Sequence, residues 1–99
     1  MQRDNFVFTI GYKDDQAIVD KRNRAKYRKL GTMELFEEGL IKPAVASAIY
    51  QREQGDNSDL EALLERMRTE LGEDLDEERL RRIYGITRDP SEIDKVLQV

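Results

Sequence analysis

The stretch Asn5-Phe6-Val7-Phe8-Thr9-Ile10-Gly11-Tyr12 separates an α+β reading of this chain from an all-helical one. β-Branched and aromatic residues dominate it, and Phe6, Phe8, Ile10 and Tyr12 fall on one face at the two-residue period of a strand. Lys13-Asp14-Asp15-Gln16 then supplies turn-compatible polar residues, and Ala17-Ile18-Val19-Asp20 returns as a shorter second strand. The pattern predicts a β-hairpin over about residues 5–20. Two strands are marginal in water by themselves, so the aromatic face is expected to lie against helices or against a second copy of the chain.

Beyond the hairpin the sequence reads as helical almost to its end. The segment 22–30 is ambiguous, because Arg22, Arg24, Lys26 and Arg28 alternate at period two and fit an extended strand as well as a helix. Gly31 interrupts it, and Thr32 is placed to N-cap a short helix through Glu38, with Gly39 in the left-handed position beyond. Met33, Leu35 and Phe36 supply that helix's buried side. Pro43 suits a first helical position and opens a helix to about Gln54. The small side chains of Ala44, Ala46 and Ala48 allow close approach of neighbours, so this helix is expected at the centre of the fold.

Three further helices are punctuated by capping signals. Ser58-Asp59-Leu60-Glu61 fits a capping box, and Leu60, Leu63, Leu64, Met67 and Leu71 form a helical stripe ending at Gly72. Asp76 is a cap for the next helix, with Leu75 and Leu80 as a hydrophobic staple and Leu80, Ile83 and Tyr84 as the buried stripe before Gly85. Glu77 with Arg81, and Glu78 with Arg82, are favourable i,i+4 pairs. Asp89-Pro90-Ser91-Glu92 predicts a last short helix anchored by Ile93, Val96 and Leu97. The expected fold is therefore α+β and mainly α, an N-terminal hairpin followed by four to six short helices, in one domain spanning residues 1–99 with its helical part over about 22–98.

Composition narrows the function. Among 99 residues there is no Cys, His or Trp, and 38% are charged. Disulfides, thiolate and imidazole metal ligands, cysteine nucleophiles and histidine acid-base chemistry are excluded. Carboxylates are the remaining catalytic-type groups, at Asp14-Asp15, Glu37-Glu38 and Glu73, Asp74 and Asp76, and caps or dipole partners account for them. The acidic run Asp56 to Asp59 does not fit a calcium loop, because with Asp56 as the first position the sixth is Glu61 and the twelfth is Met67, where such a loop needs Gly and Glu. A non-enzymatic protein without cofactor or metal is expected. No apolar run approaches the ~18 residues of a membrane span, and no signal segment is recognisable, so a soluble cytoplasmic protein is the expectation.

Charge is unevenly distributed. Residues 1–50 hold nine basic and seven acidic side chains, whereas residues 51–99 hold eight and fourteen. The basic excess comes from Lys21, Arg22, Arg24, Lys26, Arg28 and Lys29, with Tyr27 among them. These seven residues are the candidate contacts to a partner protein or to phosphate. Internal pairing with the acidic half is the structural alternative. A protein-interaction module, partnered by another protein or by itself as a homodimer, is the leading function. The alternative is a nucleic-acid-binding regulator using residues 21–29 together with a helix-turn-helix-like pair over 34–54, in which Lys42, Ser47, Gln51 and Gln54 would face the major groove. A sequence pI near 4.9 weighs against nucleic acid.

Overall fold

The computed structural model describes residues 1–99, and the observed class is α+β and mainly α. In chain order the elements are α1 (Arg3–Val7), β1 (Thr9–Lys13), β2 (Gln16–Val19), α2 (Lys21–Tyr27), α3 (Thr32–Glu37), α4 (Ile41–Glu53), α5 (Ser58–Leu71), α6 (Glu77–Tyr84), a 3₁₀ turn (Pro90–Glu92) and β3 (Lys95–Gln98). No helix is long and apolar enough to cross a membrane.

The hairpin forms, but it begins four residues later than the alternation predicts, because Arg3–Val7 is helical. Phe6, Val7 and Phe8 are all buried, which a strand with one wet face cannot achieve but a helical turn can. Phe6 enters a cluster with Val45, Ile49, Leu63 and Leu80, while Val7 and Phe8 enter a second one with Ala17, Val19, Leu35 and Ile93. α1 thus joins the helical core to the core beneath the sheet. The Thr9 hydroxyl closes its last turn by donating to the Asn5 carbonyl at 2.6 Å. β1 then carries an irregularity between Thr9 and Gly11, which turns Ile10 outward, 55% exposed, instead of placing it on the core face with Phe8. The two-residue turn uses Asp14 at φ 56°, a left-handed conformation that Asp tolerates.

The largest correction lies at the other end of the sequence. Residues 95–98, expected to continue a terminal helix, form β3, which runs parallel to β2 with Ala17 opposite Val96 and Ile18 opposite Leu97. The edge of β2 explains the outcome. Its unpaired backbone groups demand a strand, and the β-branched Ile93 and Val96 tolerate one. Ile93 is buried, Val96 packs half-buried on the same cluster, and Leu97 stands on the exposed side. The sheet order β1-β2-β3 covers one hairpin edge from within the chain, where a second copy had been one expected cover. A parallel partner requires a long crossover, and α2 through α6 supply it.

α4 is the central helix, with Ala44 through Ile49 buried in succession. Pro43 is the third residue of α4, within its first turn, instead of its first residue. α5 buries Leu60, Leu63, Leu64 and Met67 as its stripe predicts. Its start differs from the predicted capping box: Ser58 is already helical, and Asp56 Oδ1 accepts from both the Ser58 amide at 3.0 Å and its hydroxyl at 2.7 Å. Asp76 caps α6 by accepting from the Arg79 amide, and Leu75 and Leu80 are both buried. Ile83, expected in the stripe, is 46% exposed, because so short a helix meets the core chiefly through Leu80. Thr32 also departs from its expected capping role: Gly31 is the N-cap of α3, and Thr32 is buried within the first turn.

Candidate interaction surface

The ambiguous basic segment is a helix. Asp20 settles it: its Oδ1 accepts from the amides of Arg22 and Asn23 at 3.1 Å each, satisfying two of the donors a helix start leaves free. α2 buries none of its residues. Its attachment is mostly polar. Arg24 donates to Asn5 Oδ1 of α1 at 2.6 Å and to Gln98 Oε1 of β3 at 2.8 Å, and the Lys21 amide donates to the Val99 carbonyl. At the far end Arg3 donates to the carbonyls of Arg28 and Leu30. Tyr27 and Leu30 are half-buried against the core beneath the sheet, and Lys26 Nζ sits 5.1 Å from the Tyr27 ring centroid.

Lys21, Arg22, Lys26, Arg28 and Lys29 are exposed, and Arg24 is half-buried under its two amide partners. None of these six cations has a carboxylate at ion-pair distance. Internal pairing with the acidic half therefore does not occur. The ion pairs of that half are made locally instead: Arg52 and Arg81 share Glu77, Arg81 also reaches Asp89 at 2.5 Å, and Arg79 pairs with Asp74. The predicted Glu78–Arg82 pair is not formed. Isolated cations elsewhere also lack partners, but only here do six lie within nine residues.

Their position along the helix is informative. The first turn of α2 has no acidic residue within it and begins Lys21-Arg22, which sets two cations against the positive end of the helix dipole at a cost of roughly 0.3–1 kcal/mol each. Helices α5 and α6 follow the favourable rule, with Asp59 and Glu61, and Glu77 and Glu78, in their first turns. The Asp20 carboxylate at the N-cap supplies an acid to this end of α2, and α4 likewise starts without an acid and with Lys42, so what sets α2 apart is the pair of adjacent exposed cations in its first turn.

Beside α2 lies a groove that the sequence did not announce. Asp20 and Asn23 form one wall, Ile10 and Phe8 another, and Leu40, Ile41, Lys42 and Pro43 of the α3–α4 corner the third. Ile10 reaches it only because of the irregularity in β1; the single sequence cue was Gly11, a residue that weakens strands and marks bulges. Lys26 and Tyr27, three and four residues after Asn23, lie on the same side of the helix.

The helix-turn-helix-like pair does not present the face expected of it. Ser47 is 1% exposed, bonded to Thr32 and Arg3, whereas Lys42 and Gln51 are half-buried and Gln54 is exposed. The buried hydroxyls form a directed chain. Asp59 Oδ2 can only accept, so the Thr32 hydroxyl donates to it at 2.8 Å; Ser47 must then donate to Thr32 at 2.8 Å, and its oxygen accepts from Arg3 at 3.3 Å. The chain fastens α1, α3, α4 and α5 together beneath the end of the basic segment.

Other candidate chemistry is sparse. No group of three or more carboxylates gathers where a metal ion could sit. Burial raises the Tyr12 pKa despite the nearby Arg81 and Arg88, burial likewise raises that of Tyr84, and the two Ser58 hydrogen bonds lower that of Asp56. Comparison of the chain with protein families, with curated proteins and with solved structures finds no match in any of the three.

Proposed function

We propose that this protein is a small non-enzymatic interaction module whose contact surface is the cationic segment Lys21–Lys29, and that its partner is an acidic protein segment. The observation carrying this reading is the set of six clustered cations without one internal carboxylate partner. The unfavourable placement of Lys21 and Arg22 against the helix dipole supports it. A protein partner is preferred to nucleic acid because the chain is acidic overall, at net −4, which repels an extended polyanion everywhere except at this segment.

Fluorescence anisotropy with a labelled oligoglutamate peptide and with oligothymidine of equal charge tests the reading. Saturable peptide binding that weakens with salt and disappears in Arg22→Glu/Lys26→Glu supports it. No peptide binding, or much tighter binding of oligothymidine under the same conditions, overturns it, the second result favouring the nucleic-acid reading.

A further inference from the structure

We infer that α2 and β3 open together as one weakly held unit, and that the positive charge of α2 sets how often they do so. They are the two elements of the fold in which no residue is buried. They are also bonded to each other: the Lys21 amide donates to the Val99 carbonyl at 3.2 Å, and the Arg24 guanidinium donates to Gln98 Oε1 at 2.8 Å. Local opening begins where apolar burial is least and hydrogen bonds are exposed to water. Both conditions meet at this pair, and the bonds between them pass the opening of one to the other.

Charge weakens α2 further. Arg22 with Lys26, and Arg24 with Arg28, are like-charged i,i+4 pairs, and a helix of seven residues has little stability of its own to set against their repulsion. The Asp20 carboxylate at the N-cap offsets part of it. Tyr27 and Leu30 keep the far end seated against the core, so the unit comprises the first turns of α2 and the strand they hold. Its consequence lies in the sheet. β3 covers one edge of β2, and its release leaves β2 backbone groups, among them the Val19 carbonyl that accepts from the Val99 amide at 3.0 Å, without a strand partner. An acidic partner on α2 relieves the repulsion and so keeps this edge covered, a step that rests on the interaction reading above.

Native-state hydrogen exchange of the full chain tests the unit through changes made on one element and read on the other. In the wild type, the amides of residues 24–28 and of Val99 are expected to share one level of protection, at least about tenfold below that of Leu63 and Leu64 in α5. Arg22→Glu, at an exposed position, makes the pair with Lys26 attractive and brings an acid to the positive end of the helix; it is expected to slow both sets of amides about fivefold. Leu97→Gly weakens the strand at another exposed position and is expected to speed exchange over residues 24–28 about threefold. Circular dichroism confirms the fold of each variant. Protection of α2 equal to that of α5 overturns the unit, because α2 then opens only with the whole molecule. A Val99 amide indifferent to Arg22→Glu, or an α2 indifferent to Leu97→Gly, overturns it too, because the elements then open separately. These measurements use no partner, so failure of oligoglutamate to bind is failure of the interaction reading alone. Where it binds, it is expected to slow Val99 together with residues 24–28, and an unchanged Val99 overturns the link between partner and β2 edge.

Discussion

The guanidinium of Arg3 donates to the Leu30 carbonyl at 2.7 Å and to the Arg28 carbonyl at 3.1 Å, so the first helix holds the last turn of the basic segment. The relationship matters because α2 buries nothing and has little hydrophobic anchorage of its own. A cationic helix displayed on a surface needs both ends fixed if its charges are to keep their spacing. Asp20 and Arg24 hold the first end, and Arg3 the second.

Arg3→Ala removes that second tie and leaves two carbonyls and the Ser47 hydroxyl without their donor. With its side chain only 23% exposed, the loss is expected to be about 1–3 kcal/mol of global stability, measured by urea unfolding. Arg3→Lys keeps the charge but not the planar fork and should recover only part of it. Stability equal to wild type in Arg3→Ala would show that the segment is held by other contacts.

Thr32 is the hinge of the buried hydroxyl chain, donating to Asp59 and accepting from Ser47. Thr32→Val preserves shape and breaks both bonds, with an expected loss of about 1–3 kcal/mol. Ser47→Ala should cost less, because Thr32 keeps its bond to Asp59. The pair is coupled, so the double variant should lose less than the sum of the two single changes; strict additivity in a double-mutant cycle would refute the directed chain.

Elements whose signals are local were legible in the sequence. The Leu60–Met67 stripe, the Asp76 cap with its Leu75–Leu80 staple and the alanine-rich centre of α4 appear as their periods require. What the sequence hid depends on distant partners. Nothing near residue 95 says that β2 lacks a strand on one edge, so local caps favoured a helix where the sheet imposes β3. Phe6 and Phe8 alternate as a strand would, yet two separate cores on either side of α1 claim Phe6 and Val7-Phe8. The candidate surface was half legible. Six cations in nine residues are visible by composition, whereas their lack of internal partners, the Arg3 tie and the groove exist only once the chain is folded.

The same division yields a test of β3. Ile93 is buried at 1% exposure beneath the sheet, between the 3₁₀ turn and the strand. Ile93→Ala is expected to cost about 2–5 kcal/mol, as large-to-small changes in a packed core do. A terminal helix with Ile93 on a partly wet face would lose much less, so a cost under about 1 kcal/mol, the scale of surface changes, would contradict the strand.

Helix α2 should show stability and binding moving in opposite directions. Replacing Lys21 and Arg22 with Glu puts acids at the positive end of the dipole, an expected gain of roughly 0.3–1 kcal/mol per position in local helix stability. Hydrogen exchange of the amides over residues 24–28 should slow accordingly, while oligoglutamate affinity falls. A variant whose helix is slower to exchange and whose affinity is undiminished would detach these two cations from the contact surface.

Alkaline pH offers a separate probe of packing through Tyr12. Burial raises its pKa in the folded protein above the ordinary value of 10.0, more than Arg81 and Arg88 lower it. The unfolded chain consequently gives up this proton first as pH rises. Above pH 10 the folded state holds more protons than the unfolded one, so the stability linked to Tyr12 is intact below that value and is lost as pH climbs through the folded pKa. Tyr84 shifts in the same direction and adds to the slope, but with less burial its share should be smaller. Thermal melts of wild type, Tyr12→Phe and Tyr84→Phe across this range should show a shallower alkaline decline in both variants, more so in Tyr12→Phe. An unchanged slope in Tyr12→Phe would mean that its hydroxyl is as well solvated in the folded protein as in the unfolded chain.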